Sequence, residues 1–200
     1  MRHLFFINLL LFANLSFSQT DGEFFFKGKE KVNIKDYKGS IEYFTKAIEL
    51  NPNASAAYTE RGLSKLYLED FIGAVADFSK AIELNPDSDR NYDNRAYTKH
   101  KLMDFRGAIV DHTKAIELYP NSSKYYYNRA ASKFELNDFR GAKNDYTKAI
   151  EINPKYIDAY LNRASANYNL NDKNGACMDW SRAGELGDEG AYQLIKKHCN

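Results

Sequence analysis

An all-α solenoid, built of stacked antiparallel helix hairpins and closed by a C-terminal capping helix, is the fold class this sequence predicts. Three ladders of single residues predict it. Pro52, Pro86, Pro120 and Pro154 are the only four prolines, each 34 residues from the next. Asp36, Asp70, Asp104, Asp138 and Asp172 keep the same step, and so do Gly39, Gly73, Gly107, Gly141 and Gly175. A fixed period of this length means that one supersecondary unit is copied and stacked.

The segment from Ser55 to Ser88 shows what the unit is. Tyr58, Gly62 and Leu66 fall on one face of a first helix. Asp70 breaks that pattern and suits the cap of a second helix. Ala74, Phe78, Ala81 and Ile82 form the apolar stripe of that helix. Asn85-Pro86 ends it, because proline lacks the helical N–H and pushes its predecessor out of helical geometry. The small residues Gly62, Ala74 and Ala81 let the two helices approach closely.

The other copies agree. First helices carry Phe24 and Gly28, Tyr92 and Ala96, Tyr126 and Ala130, Tyr160 and Ala164. Second helices carry Ser40, Phe44 and Ala47; Ala108, His112 and Ala115; Ala142, Tyr146 and Ala149; Ala176, Trp180 and Ala183. This pattern of aromatic and small residues resembles the tetratricopeptide repeat (TPR) family over residues 22–187, about five repeats at 22–54, 55–88, 89–122, 123–156 and 157–187. His112 departs from it where an aromatic is expected, Ser40 where an alanine is, and Asp188 where a proline would fall. The resemblance implies a right-handed superhelix whose concave surface is lined mainly by first helices, each hairpin burying its apolar face against its neighbours.

Residues 1–18 lie outside the repeat. Arg2 and His3 form a short basic start, Leu4 to Phe17 is mostly apolar, and Ser16 and Ser18 supply small residues before Gln19. This reads as a secretory signal peptide cleaved near Ser18. The alternative is an uncleaved anchor, for which the stretch is short, since a spanning helix needs roughly 20 apolar residues. No cysteine follows the apolar run, which argues against a bacterial lipoprotein. Export to the periplasm or secretion is expected. At the other end, residues 188–200 read as the cap. Glu189 to His198 places Ala191, Leu194 and Ile195 inward and Lys196 and Lys197 near the helix end, where cations suit the helix dipole.

Charge narrows the partner class. Losing residues 1–18 removes Arg2, one of 28 basic residues, and none of the 27 acidic ones. The mature chain is then neutral, which disfavours nucleic-acid binding through a general basic field. Cys177 and Cys199 are the only cysteines. An exported chain meets an oxidising compartment. Counted from the turn near Gly187, the two sit at similar levels on antiparallel helices, so a disulfide that staples the cap is expected; the alternative is a pair of free thiols.

Arg61, Arg95, Arg129 and Arg163 recur beside the small residue, and Asp77, Asp111, Asp145 and Asp179 recur in the same four repeats. Repeat one has Lys27 and Tyr43 there, so the arginine and the aspartate are missing together. Each pair faces across its own hairpin. These are expected to be structural ion pairs of the exposed kind, contributing about 0–1 kcal/mol each.

The candidate binding face lies next to them. Asn94, Asn128 and Asn162 recur at the 34-residue step, with Glu60 in the place of repeat two. An amide side chain donates and accepts, so a row of them can grip the backbone of an extended ligand. The row resembles the asparagine ladder of the O-GlcNAc transferases, which implies extended-peptide binding; the alternative is that asparagine merely suits a polar helix surface. Arg90, Tyr97, Lys101, Lys124, Tyr127, Phe134 and Tyr168 are expected to face the same way, beside Asp93, His100 and Asn169. Aromatic and arginine side chains suit interface hot spots, and a mildly acidic, aromatic-tolerant peptide fits this mixture. The lysine and asparagine set with which co-chaperone relatives clamp a carboxylate is not reproduced, since Thr59, Leu63 and Asn128 fill its other places.

No enzyme and no cofactor are expected. The histidines are scattered, no spacing suits a metal, and no nucleophile-elbow, phosphate-loop or dinucleotide pattern occurs. Asn53-Ala54-Ser55 and Asn121-Ser122-Ser123 match the glycosylation acceptor pattern, which matters only in a eukaryotic source. The expected function is a protein-interaction adaptor of the cell envelope that holds an extended segment in its concave groove. The alternatives are a self-assembling array joined through Phe24, Phe25 and Phe26 of repeat one, and an accessory subunit of an envelope enzyme complex.

Overall fold

A computed structural model describes residues 20–199; the expected signal peptide lies outside the described residues. These residues form α1 (Asp21–Asn33), α2 (Tyr37–Leu50), α3 (Ser55–Tyr67), α4 (Phe71–Leu84), α5 (Asp89–Lys101), α6 (Phe105–Leu118), α7 (Ser123–Glu135), α8 (Phe139–Ile152), α9 (Ile157–Asn169), α10 (Lys173–Glu185) and α11 (Glu189–His198). Consecutive helices pair into five hairpins, each hairpin packs on the next, and α11 packs on α10. First helices of successive repeats also touch one another, so the stack is tighter on their side and that side is concave.

The Asp and Gly ladders build the turn inside each hairpin. Asp36, Asp70, Asp104, Asp138 and Asp172 cap the second helices by accepting the backbone N–H of the glycine three residues on, at 2.9–3.0 Å. Glycine stands there because a Cβ would run into the capping carboxylate. The residue before each aspartate (Lys35, Glu69, Met103, Asn137, Asn171) sits at φ between 59° and 61°, the left-handed conformation that reverses the chain.

The core is one ring per repeat, lodged against a small residue. Phe44, Phe78, Tyr146 and Trp180 are buried between the helices of their hairpins. A Cβ on Gly62 would come within 2.8 Å of the Phe78 ring, so the absence of a side chain makes the close approach possible. Ala96, Ala130 and Ala164 take the corresponding place in the later repeats and are fully buried.

The arginine ladder is structural, but it is not an exposed one. Arg61, Arg95, Arg129 and Arg163 each hold an aspartate of their own hairpin with two hydrogen bonds, from Nε at 2.8–3.0 Å and from Nη2 at 2.6–2.8 Å. The aspartate side chains are only 3–8 % exposed. The remaining Nη1 reaches the second helix of the preceding repeat and donates to Thr45, Ser79, Thr113 or Thr147 at 3.1 Å. Each guanidinium also lies over the tyrosine one turn before it, 5.5–5.8 Å from the ring centre. Lys65, Lys99 and Lys133 add a second cation to the aspartates of repeats two to four at 2.7–2.8 Å, and Asn167 donates to Asp179 in repeat five. Thus each arginine ties three helices at once, and burial makes its partner far harder to lose than in an exposed pair.

A disulfide joins Cys177 on α10 to Cys199 after α11, with Cα atoms 5.9 Å apart. Ala191 of the cap is buried in the last core cluster, and Leu194 and Ile195 pack against that cluster. At the opposite end Phe25 packs on Phe44 at 5.6 Å, whereas Phe26 is 69 % exposed.

Two consequences are measurable. Asp111→Ala leaves Arg95 and Lys99 facing each other without their anion, and we expect it to cost about 3 kcal/mol in chemical denaturation, as removal of one partner of a buried pair does. Reduction of Cys177–Cys199, or Cys199→Ser, releases a link across 22 residues, and we expect a loss of about 3 kcal/mol and a lower melting temperature.

Candidate binding groove

The concave face carries clefts between successive first helices from α3 to α9. Between α3 and α5 a cleft of about 530 Å³ has Leu63, Leu66 and Tyr67 on one wall and Asn94, Tyr97 and Lys101 on the other. Between α5 and α7 a smaller one of about 170 Å³ is lined by Tyr97, His100, Lys101, Tyr127 and Asn128, with His112 at its floor. Between α7 and α9 a third of about 180 Å³ is lined by Ala131, Phe134, Glu135 and Asn162, with Tyr146 at its floor. Arg90 lies nearer the helix starts, in a polar cleft with Lys29, Glu60, Asn94 and Lys124.

The structure therefore brings together most of the expected binding residues, but it gives them unequal roles. Asn94 alone of the asparagine row has a side chain without a hydrogen-bond partner. Asn128 donates to Asp93 at 3.2 Å and Asn162 donates to the Tyr127 hydroxyl at 2.8 Å. Glu60, at the same level of repeat two, accepts from Lys29 Nζ at 2.7 Å. The row is thus partly a set of ties between neighbouring first helices. Asn162 leaves the Tyr127 proton free to donate, and burial above all holds that phenol above its ordinary value, so it stays protonated. Tyr168 stands apart from the three clefts. Its ring packs on Trp180 at 6.2 Å and on His198 of the cap at 4.9 Å and stays partly exposed.

Repeat three holds a feature that the ladders did not announce. At the level where Phe25 meets Phe44 and Tyr127 meets Tyr146 (both 5.6 Å), Asp93 meets His112, with Oδ1 3.4 Å from Nε2. Both side chains are buried, and neither ring nitrogen of His112 makes a hydrogen bond. Asp93 also accepts from Lys124 Nζ at 2.8 Å. Burial pushes the Asp93 carboxyl upward, but His112 and Lys124 together outweigh it and hold the group below its ordinary value. His100 is held below its ordinary value, chiefly by burial, and its Nδ1 lies 2.9 Å from Ser132 Oγ. The readable signal for this contact was the His in an otherwise aromatic column, Phe44, Phe78, Tyr146 and Trp180, together with an acid at position 93, where the other repeats have Phe25, Thr59, Tyr127 and Leu161.

Among the described residues no group of three or more His, Cys, Asp and Glu side chains is arranged to hold a metal ion, and no helix is long and apolar enough to cross a membrane.

Three segments of the chain match models of the tetratricopeptide repeat, at residues 24–54, 55–88 and 123–156. No curated protein matches the sequence. Solved structures match the fold. A crystal structure of the MamA protein is 20 % identical, covers 86 % of this chain and 94 % of its own, and superposes with a TM-score of 0.80. MamA from Desulfovibrio magneticus RS-1 is 15 % identical, with 84 % and 96 % covered and a TM-score of 0.81. YrrB, a TPR protein with an unusual peptide-binding site, is 18 % identical, with 88 % and 91 % covered and a TM-score of 0.78. At these identities the likeness is one of fold.

Because the Asp93 carboxyl is depressed in the folded chain, its contribution to stability is present at neutral pH and is lost as pH falls through its folded value. We expect the urea-midpoint difference between wild type and Asp93→Asn to be largest near pH 7 and to fade below about pH 4.

Proposed function

We propose that this tetratricopeptide chain is a non-enzymatic adaptor of the cell envelope that holds an extended segment of another protein in its concave groove. Tetratricopeptide repeats are in general protein-interaction modules, and the solenoid found here fits that class. The observation that carries the extended-segment reading is the serial row of clefts. The second and third are about 170 and 180 Å³, room for single side chains, whereas a helical ligand is about 10 Å across. Beside them stand groups with capacity to spare: the free Asn94 amide, the Tyr127 proton, and Lys101, which touches only the Tyr97 ring at 5.4 Å. The peptide-binding site in the name of YrrB, which shares the fold, is consistent with the same use of the surface.

The envelope location rests on residues 1–18, whose basic start, apolar run and small residues have the makeup of an export signal. A Cys177–Cys199 bond suits an oxidising compartment.

Affinity capture from envelope extracts of the source organism tests the proposal. We expect Asn94→Ala and Tyr97→Ala each to lower capture of the partner about tenfold, as truncation at an interface centre does, with the helical circular dichroism unchanged. Equal capture by both variants would move the interaction off the groove. Capture of nothing but the chain itself would favour self-assembly through repeat one.

A further inference from the structure

The three clefts occupy one position in three successive repeats. Leu63, Tyr97 and Ala131 correspond at the 34-residue step, as do Leu66, His100 and Phe134, and Tyr67, Lys101 and Glu135. The lining changes in kind at each step. In the first cleft these positions are apolar, Leu63, Leu66 and Tyr67, and face a polar wall of Asn94, Tyr97 and Lys101. In the second they are Tyr97, His100 and Lys101, so Lys101 borders both clefts, and the floor is His112. In the third the rim carries Glu135 and the floor is Tyr146. Lys101 and Glu135 are both exposed and neither forms an ion pair. His112 is 1 % exposed; its Nε2 faces Asp93 Oδ1 at 3.4 Å, and its Nδ1 has no hydrogen-bond partner. A buried ring nitrogen left without a hydrogen bond is costly unless something else supplies one.

We propose that the groove reads a sequence pattern: an apolar side chain in the first cleft, an acidic one in the second and a basic one in the third. The inference rests on the extended-segment reading above and names what that segment carries. The second cleft takes Glu or Asp because its lining offers donors in excess. Lys101, the Tyr97 hydroxyl and the second Asn128 hydrogen have no acceptor among the described residues, and Asp93 is already engaged by His112, Lys124 and Asn128. The third cleft selects against that same acid through Glu135, since like charges brought together at an interface are repelled. Spacing fits an extended ligand. Successive first helices lie on the order of 10 Å apart, and three residues of a polyproline II strand advance about 9.3 Å and return to the same face. The apolar, acidic and basic residues therefore fall at every third position.

The test measures binding of labelled heptapeptides to the purified protein by fluorescence anisotropy. The peptides carry Leu, Glu and Lys at the first, fourth and seventh positions of a Ser/Pro background, in both chain directions, beside the same peptides with Glu and Lys exchanged. We expect the Leu-Glu-Lys order to bind at least about tenfold more tightly than its charge-exchanged partner in one chain direction, a difference of about 1.4 kcal/mol. Lys101→Glu combined with Glu135→Lys, two surface changes, inverts that preference. His112→Phe, which installs the ring that repeat two carries at Phe78, lowers the preference for Glu over Gln at the fourth position. Equal binding of the two charge orders, or a double variant with the wild-type preference, overturns the pattern and leaves the extended-segment reading standing. Absence of binding by every peptide overturns both.

Discussion

Each step from one repeat of this solenoid to the next passes through one guanidinium. The arginine of a first helix closes its own hairpin through a buried aspartate and fixes the hairpin to its predecessor through a hydroxyl. Five donors in a rigid fork make this possible, and a lysine could not do it. Because the aspartates are almost wholly buried, the fork sets both the tilt within a repeat and the rotation between repeats. Everything on the concave face inherits that register. It also removes four arginines from the list of groups that can meet a ligand, so the character of the groove is left to asparagines, tyrosines and a few isolated charges.

Repeat three is where the array departs from its own rule. Elsewhere the level between the paired helices is filled by a ring packed on a ring, a threonine or a leucine. Here an aspartate and a histidine replace both partners, and Lys124 and Asn128 from the next repeat reach in to hold the carboxylate. The exchange costs apolar burial and leaves the imidazole Nδ1 without a hydrogen-bond partner. In return it puts a polar floor beneath the middle of the groove, flanked by repeats whose floors are aromatic. Departures from local packing rules are expected to gather at functional sites, and this is the clearest one in the described chain.

Much of the fold was legible in the sequence. The Asp and Gly ladders marked the second-helix caps, the prolines marked their ends, and the joint absence of the arginine and the aspartate from repeat one, where Lys27 and Tyr43 stand, marked the ion pairs. The two cysteines were placed at one level by counting residues along antiparallel helices. The groove was less legible, for a physical reason. A period assigns residues to columns, but hydrogen bonds at 2.8–3.2 Å between Asn162 and Tyr127 or Asn128 and Asp93 depend on the rotation from one repeat to the next. Columns alone made Asn128 and Asn162 look as free as Asn94, made the arginine pairs look exposed, and did not show that the Tyr168 ring packs on Trp180 and on His198 of the cap.

The central claim is that the concave face, and not the convex face or an end of the stack, meets the partner. Site-specific photo-crosslinking in the source organism tests it most directly. A photoreactive side chain in place of Tyr97 reports from the groove, and one in place of Val110, exposed on a second helix, reports from the outer face. The account predicts adducts from position 97 that map to one short segment of another protein, with none from position 110. Adducts from position 110 alone, or from position 97 only to further copies of this chain, would contradict it.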